Sequence, residues 1–215
     1  TGAAQPNHDF GTAAGAATDP TMDILVAPQT TMVAALQWND PFGASGNDYD
    51  LFLRNADLSQ ILDSSETIQD GDDDPVETVF YTNASPDVQQ VRLNVVRFRG
   101  DDRRLEINFA GAVRPEQYNV PHGSVYGHPA VEGAVTTGAI DVTDPGADDI
   151  EPYSSRGPAR IDFPVLQLRR KPDITAVDRV SVTGAGGFPP TFRGTSAAAP
   201  HVAGVAALLM QAPGC

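Results

Sequence analysis

The 215-residue chain carries 14 Lys and Arg against 28 Asp and Glu, a net charge of −14 that excludes a phosphate-binding surface built on clustered cations. Its 40% hydrophobic content is ordinary for a folded domain and argues against disorder. No apolar run approaches the roughly 20 residues of a membrane-spanning helix, so neither nucleic acid nor membrane is expected as a partner.

Thr1 to Pro20 is small, polar and Gly/Ala-rich, without the basic-then-apolar order of a signal segment. It reads as the continuation of a longer polypeptide: residues 1–21 are expected to be a residual segment of a divided domain, or a linker. From Met22 to Phe109 the texture is that of strands. In Met32 to Trp38, Ala34, Leu36 and Trp38 share one side. Tyr49, Leu51 and Leu53 alternate with Asp50, Phe52 and Arg54, while Val91, Leu93 and Val95 share a face, as do Leu105, Ile107 and Phe109. Period-2 alternation marks half-buried strands. The turn clusters between them (Asn39-Asp40-Pro41, Gly43 to Asn47, Gln69 to Pro75, Gly100 to Asp102) complete the pattern of an antiparallel β-sandwich over residues 22–111.

Asp40, Asp48, Asp50 and the Asp70, Asp72, Asp73, Asp74 run supply hard oxygen ligands of the kind calcium takes. Their spacing matches no EF-hand loop and acidic turns are usually only solvated, so calcium stays an open alternative, no metal site is assigned and no other cofactor is expected. His8 and His128 have no ligand-like partners at useful spacing, which argues against zinc. Cys215, the single cysteine, has no internal partner and says nothing about the redox compartment.

After Gly111 the texture changes. Ala134 to Val142 and Asp173 to Val177 are strand runs, and Ser196 to Met210 is Ala-rich and apolar on nearly every face. Such a helix is expected to be buried. Pro200 falls in its first turn, where a missing N–H costs nothing. Strands with one central helix point to an α/β layer. Gly194-Thr195-Ser196 puts a serine at the start of that helix, where unbonded N–H groups and a partial positive charge collect. A serine oxygen there can attack a carbonyl while its own N–H supports the oxyanion. On helix logic alone an N-cap serine on an Ala-rich core helix is the plainer reading.

The run Gly194-Thr195-Ser196-Ala197-Ala198-Ala199-Pro200-His201-Val202-Ala203-Gly204 resembles the serine block of the subtilisin-like (subtilase) serine proteases. Gly127-His128-Pro129-Ala130 with the following AVTTGAIDV strand, Ser154-Ser155-Arg156-Gly157-Pro158 and Lys171-Pro172-Asp173-Ile174 resemble other signatures of the family, in its order. The resemblance implies a subtilisin-like α/β partial domain over residues 112–215, in addition to the antiparallel β-sandwich. It implies a secreted serine endopeptidase that hydrolyses peptide or protein substrates through an acyl-enzyme on Ser196. It further implies that Gly127, His128, Pro129, Ala130 and Thr195 line the substrate cleft, and that His201 is a structural residue of the helix.

The family orders its triad Asp, His, Ser, with an oxyanion Asn between His and Ser. No Asp block is found, and Asn7 lacks the Ala-Gly-Asn setting of the oxyanion residue. His122-Gly123-Ser124 resembles the opening of a histidine block, but Pro129 and a strand follow where a helix should. The missing amino-terminal half of the protease domain is therefore expected to carry the triad partners, and this portion to be inactive alone. Ala176-Val177-Asp178 replaces the family's Ala-Pro-Gly, which is expected to alter a turn and not the chemistry. The segment Trp38 to Pro41 with Asn47 to Leu51 resembles β-sandwich modules of secreted bacterial proteases, here inserted into the catalytic domain. The rival readings are a non-catalytic β-sandwich binding module and an inactive protease homologue.

Overall fold

The structure, a computed structural model, describes residues 6–13 and 15–212. Cys215 lies outside the described residues. The chain divides into two compact units, Thr1–Asn119 and Val120–Cys215. It is predominantly β, with antiparallel sheets and few helices. No helix among the described residues is long and apolar enough to cross a membrane.

The first unit opens with a short helix, α1 (Phe10–Ala13), followed by eight strands: β1 (Met22–Val26), β2 (Thr30–Trp38), β3 (Asp48–Asn55), β4 (Ile61–Ser65), β5 (Val76–Asn83), β6 (Gln89–Arg99), β7 (Leu105–Ala110) and β8 (Val113–Pro115). They form two antiparallel sheets, ordered β4-β3-β6-β1-β8 and β5-β2-β7. The alternation read from the sequence sets which faces meet. Met32, Ala34, Leu36 and Trp38 of β2 are buried together with Ile24 and Val26 of β1, Tyr49, Leu51 and Leu53 of β3, and Val91, Leu93 and Val95 of β6. Each such aliphatic side chain contributes about 1.5–3 kcal/mol on burial, and a one-residue slip of a strand would turn its whole set outward. Gly111 closes the β7–β8 turn at φ 104°, and a Cβ there would stand 2.4 Å from the Thr31 carbonyl oxygen. Only glycine fits such a position.

Two details extend this unit beyond residues 22–111. At its start, the His8 N–H donates to the Val95 carbonyl (2.8 Å) and the Arg97 N–H to the Pro6 carbonyl (3.2 Å), so residues 6–8 run alongside β6. Phe10 joins the core and stacks on Tyr118 with ring centroids 5.8 Å apart. At its end, β8 pairs with β1, and Gln117 and Tyr118 both donate to Asp19 Oδ2 at 2.9 Å.

The second unit holds β9 (Thr137–Asp141), β10 (Ala159–Ile161), β11 (Gln167–Arg169), β12 (Ile174–Asp178), β13 (Val180–Ser181), β14 (Thr191–Phe192) and the helix α2 (Thr195–Gln211). β10/β11 and β13/β14 are antiparallel pairs, whereas β9 and β12 are parallel, in register from Thr137↔Ile174 to Asp141↔Asp178. Helix α2 packs against both parallel strands. The expectation that this helix is buried all round is corrected here. Ala197 and Ala198 are buried, but Val205 is 57%, Leu208 69%, Leu209 58% and Met210 84% exposed. Two strands cover only one stripe of a helix.

Candidate functional site

The residues singled out in the second unit converge on the start of α2. Its N-cap, Gly194, has φ 100° and ψ 169°, a conformation that turns the chain sharply into the helix. The Ala197 N–H bonds back to the Gly194 carbonyl at 2.8 Å, which places Ser196 in the first turn. N–H groups there have no carbonyl one turn behind them. Ser196 is exposed, and among the described residues its Oγ makes no hydrogen bond. A hydroxyl so placed can reach a ligand carbonyl, with an N–H and the positive end of the helix beside it.

A cleft of about 390 Å³ adjoins this turn. Of the residues expected in a substrate cleft, Gly127, His128, Pro129 and Thr195 line it, with Tyr126, Thr136, Tyr153 and Ser155 among the others. Ala130 does not reach the wall: it is buried with Val125 and Ala159, behind the 3-10 turn His128–Ala130. The floor is fixed by the signature segments. Ser154 Oγ accepts from the Ala139 N–H of β9 at 3.1 Å. Buried Lys171 donates to the Ala134 carbonyl (2.6 Å) and to Asp173 Oδ2 (2.8 Å). The Lys171 ammonium and the Thr136 N–H hold the Asp173 carboxyl below the usual carboxylate range.

One site residue was misjudged from the sequence. Asp178, at the end of β12, does more than alter a turn. Fully buried, it accepts the Gly194 N–H at Oδ2 (2.7 Å) and the Tyr153 hydroxyl at the same oxygen. The Tyr153 hydroxyl is pushed up to about 12, by burial first and then by the bond to Asp178 and its charge. At this pKa the phenol stays protonated and keeps donating. Beside Asp178, Arg179 (φ 52°) bonds Glu151 Oε1 at 2.7 Å and Asp141 Oδ2 at 3.1 Å, which neutralises part of the buried acid.

The histidines lie as follows. His201 Nδ1 is 2.8 Å from the Ala197 carbonyl, one turn back in α2. His122 pairs with Arg156 in a parallel bridge, and His128 is exposed on the cleft rim. His8 belongs to the first unit, where burial lowers its pKa. Asn7 is fastened to β6 and accepts from Asn94 Nδ2 at 3.2 Å. Among the described residues no histidine nitrogen bonds Ser196 Oγ.

The model of the subtilase family matches residues 70–214, from the loop before β5 through the whole described length of α2. A match over well over half of the chain places it: the protein belongs to the subtilase family, whose members are hydrolases of the serine-protease type. No curated protein and no solved structure gives a significant match.

Proposed function

We propose that this chain forms the carboxy-terminal part of a secreted subtilisin-like serine endopeptidase, with Ser196 as its nucleophile. The observation that carries the reading is an exposed serine hydroxyl in the first turn of α2, next to a cleft lined by Thr195 and Gly127 to Pro129. Ser196 Oγ attacks the scissile carbonyl carbon and gives its proton to a histidine. The amine leaves with that proton, and water releases the acyl group from Ser196. The Ser196 N–H is one donor to the oxyanion, and the His128 turn with Thr195 takes the residue preceding the cut bond. The histidine, the aspartate that orients it and the oxyanion asparagine belong to polypeptide preceding Thr1, in the family's order. Alone, this chain supplies a nucleophile without a base. The first unit is then a β-sandwich module inserted in the catalytic domain, and the outward apolar faces of α2 are covered by the rest of an α/β layer structure.

Two measurements test this. In the full-length enzyme, Ser196→Ala abolishes peptide hydrolysis, and unchanged turnover would refute the nucleophile. In the present chain, a fluorophosphonate probe labels Ser196 orders of magnitude more slowly than a complete protease. Equal rates would refute the missing base.

A further inference from the structure

One oxygen at the end of β12 holds together the segments that meet at the start of α2. Asp178 is fully buried, and its Oδ2 accepts both the Gly194 N–H (2.7 Å) and the Tyr153 hydroxyl. Gly194 is the N-cap of α2, just ahead of Thr195 and Ser196. Tyr153 lies in a turn fastened to β9: the Glu151 N–H donates to the Ala139 carbonyl at 2.9 Å, and Ser154 Oγ accepts the Ala139 N–H at 3.1 Å. Between Asp178 and Gly194 the chain makes the β13/β14 hairpin, in which Val180 faces Phe192 and Ser181 faces Thr191. The carboxylate therefore clasps the base of that hairpin.

As a device for stability alone, this clasp is a poor one. Asp178 Oδ1 is buried and, among the described residues, has no hydrogen-bond partner. A buried carboxylate with one oxygen unsatisfied gains little over an apolar side chain of similar volume. What a carboxylate does supply is a firm hold, because its hydrogen bonds are shorter and roughly twice as strong as those of a neutral acceptor.

The two donors differ in what they touch. Gly194 sets where the helix begins, and with it the Ser196 hydroxyl and N–H, since the Ala197 N–H returns to the Gly194 carbonyl at 2.8 Å. The Tyr153 side chain lines the cleft of about 390 Å³ beside Thr195, with its hydroxyl turned inward to Asp178. A single carboxylate fixes both the attacking group and a wall of the cleft.

We propose that Asp178 is a positioning residue for the reaction at Ser196, and that Tyr153, pinned by it, fixes a wall of the substrate cleft. The proposal rests on Ser196 being the nucleophile. A reacting group displaced by about 1 Å loses on the order of a hundredfold in rate, so the hold on Gly194 bears on kcat. The pinned ring bears on KM.

The test is steady-state kinetics of the full-length enzyme on a peptide substrate, with Ser196→Ala as the control. Asp178→Ala should lower kcat about tenfold or more. Asp178→Asn keeps an acceptor oxygen for both donors and should restore kcat to within about threefold of wild type. Tyr153→Phe keeps the ring and frees its tip, so KM should rise about threefold or more while kcat changes less than about twofold. Total fluorophosphonate uptake counts the folded enzyme in each preparation, which separates a displaced serine from an unfolded chain. Wild-type kcat in Asp178→Ala, or an Asp178→Asn variant as slow as Asp178→Ala, overturns the positioning role. An unchanged KM in Tyr153→Phe overturns the pinned wall. Turnover retained in Ser196→Ala would instead sink the nucleophile itself, and the proposal with it.

Discussion

Replacing Asp40 with alanine should remove the hub of the first unit's buried polar network. Asp40 accepts from Ser45 Oγ (3.0 Å), from the Asn47 N–H (3.2 Å) and Nδ2 (2.7 Å), and from Arg103 Nε (2.7 Å). Ser45 in turn receives the Trp38 indole N–H at 3.0 Å. The Ser45 hydroxyl can turn to the Asn47 carbonyl at 3.1 Å, but the Asn47 N–H and Nδ2 are buried and cannot recover water, so each of these orphaned donors costs about 1–3 kcal/mol. Arg103 is 31% exposed and rehydrates, so its share is only about 0.5–1 kcal/mol. Together Asp40→Ala is expected to cost about 3–5 kcal/mol. Arg103→Gln should cost no more than about 1 kcal/mol. Trp38 is the only tryptophan, so its fluorescence reports this unit alone during urea unfolding. With a slope of about 1–2 kcal/mol per molar, the midpoint should drop by about 1.5 M or more. A drop below about 0.5 M, or equal losses for the two variants, would show that the network is not what holds this corner.

Other consequences can be measured in the same way. Burial, with Asp48, Glu66 and Glu77 nearby, raises Asp50 from its ordinary 3.8 to about 6. The folded state therefore holds this proton more tightly, so the contribution of Asp50 to stability is full below about pH 4 and is lost as pH rises through about 6. Asp50→Asn should flatten this decline, and an unchanged pH profile would refute the assignment. A Cβ on Gly157 would stand 2.0 Å from the Lys171 carbonyl oxygen, so Gly157→Ala should destabilise the second unit by about 2 kcal/mol or more. Hydrogen exchange across β9 and β12 would show it. Asp178→Ala should speed exchange at the Gly194 and Ala197 amides at least tenfold with little change at Val205. Tyr153→Phe should have a smaller effect in the same direction, and uniform change along α2 would contradict the local role.

The strands of the first unit were legible because apolar and polar residues alternate on β2, β3 and β6, and a two-sheet core needs little more than that. The start of α2 at Thr195-Ser196 was legible through the wording of its motif, which carries the local backbone with it. The Asp178 bond to Gly194 was not, because it joins positions far apart in sequence through a single side-chain oxygen. Nor was the exposure of α2. Composition tells which faces of a helix are apolar, but the number of elements lying against them is a property of the fold. Asp48 looked like any acid in a polar turn. Its burial arises where the β4–β5 loop folds over the start of β3, a closure that no periodicity announces.

Helix α2 is moored at one end. The Asp178 carboxylate grips the peptide just ahead of it, while its last two turns hold Leu208, Leu209 and Met210 out in solvent. Fraying can therefore eat inward from Gln211 without displacing the hydroxyl at residue 196, whose coordinates are dictated by a tether in the neighbouring strand.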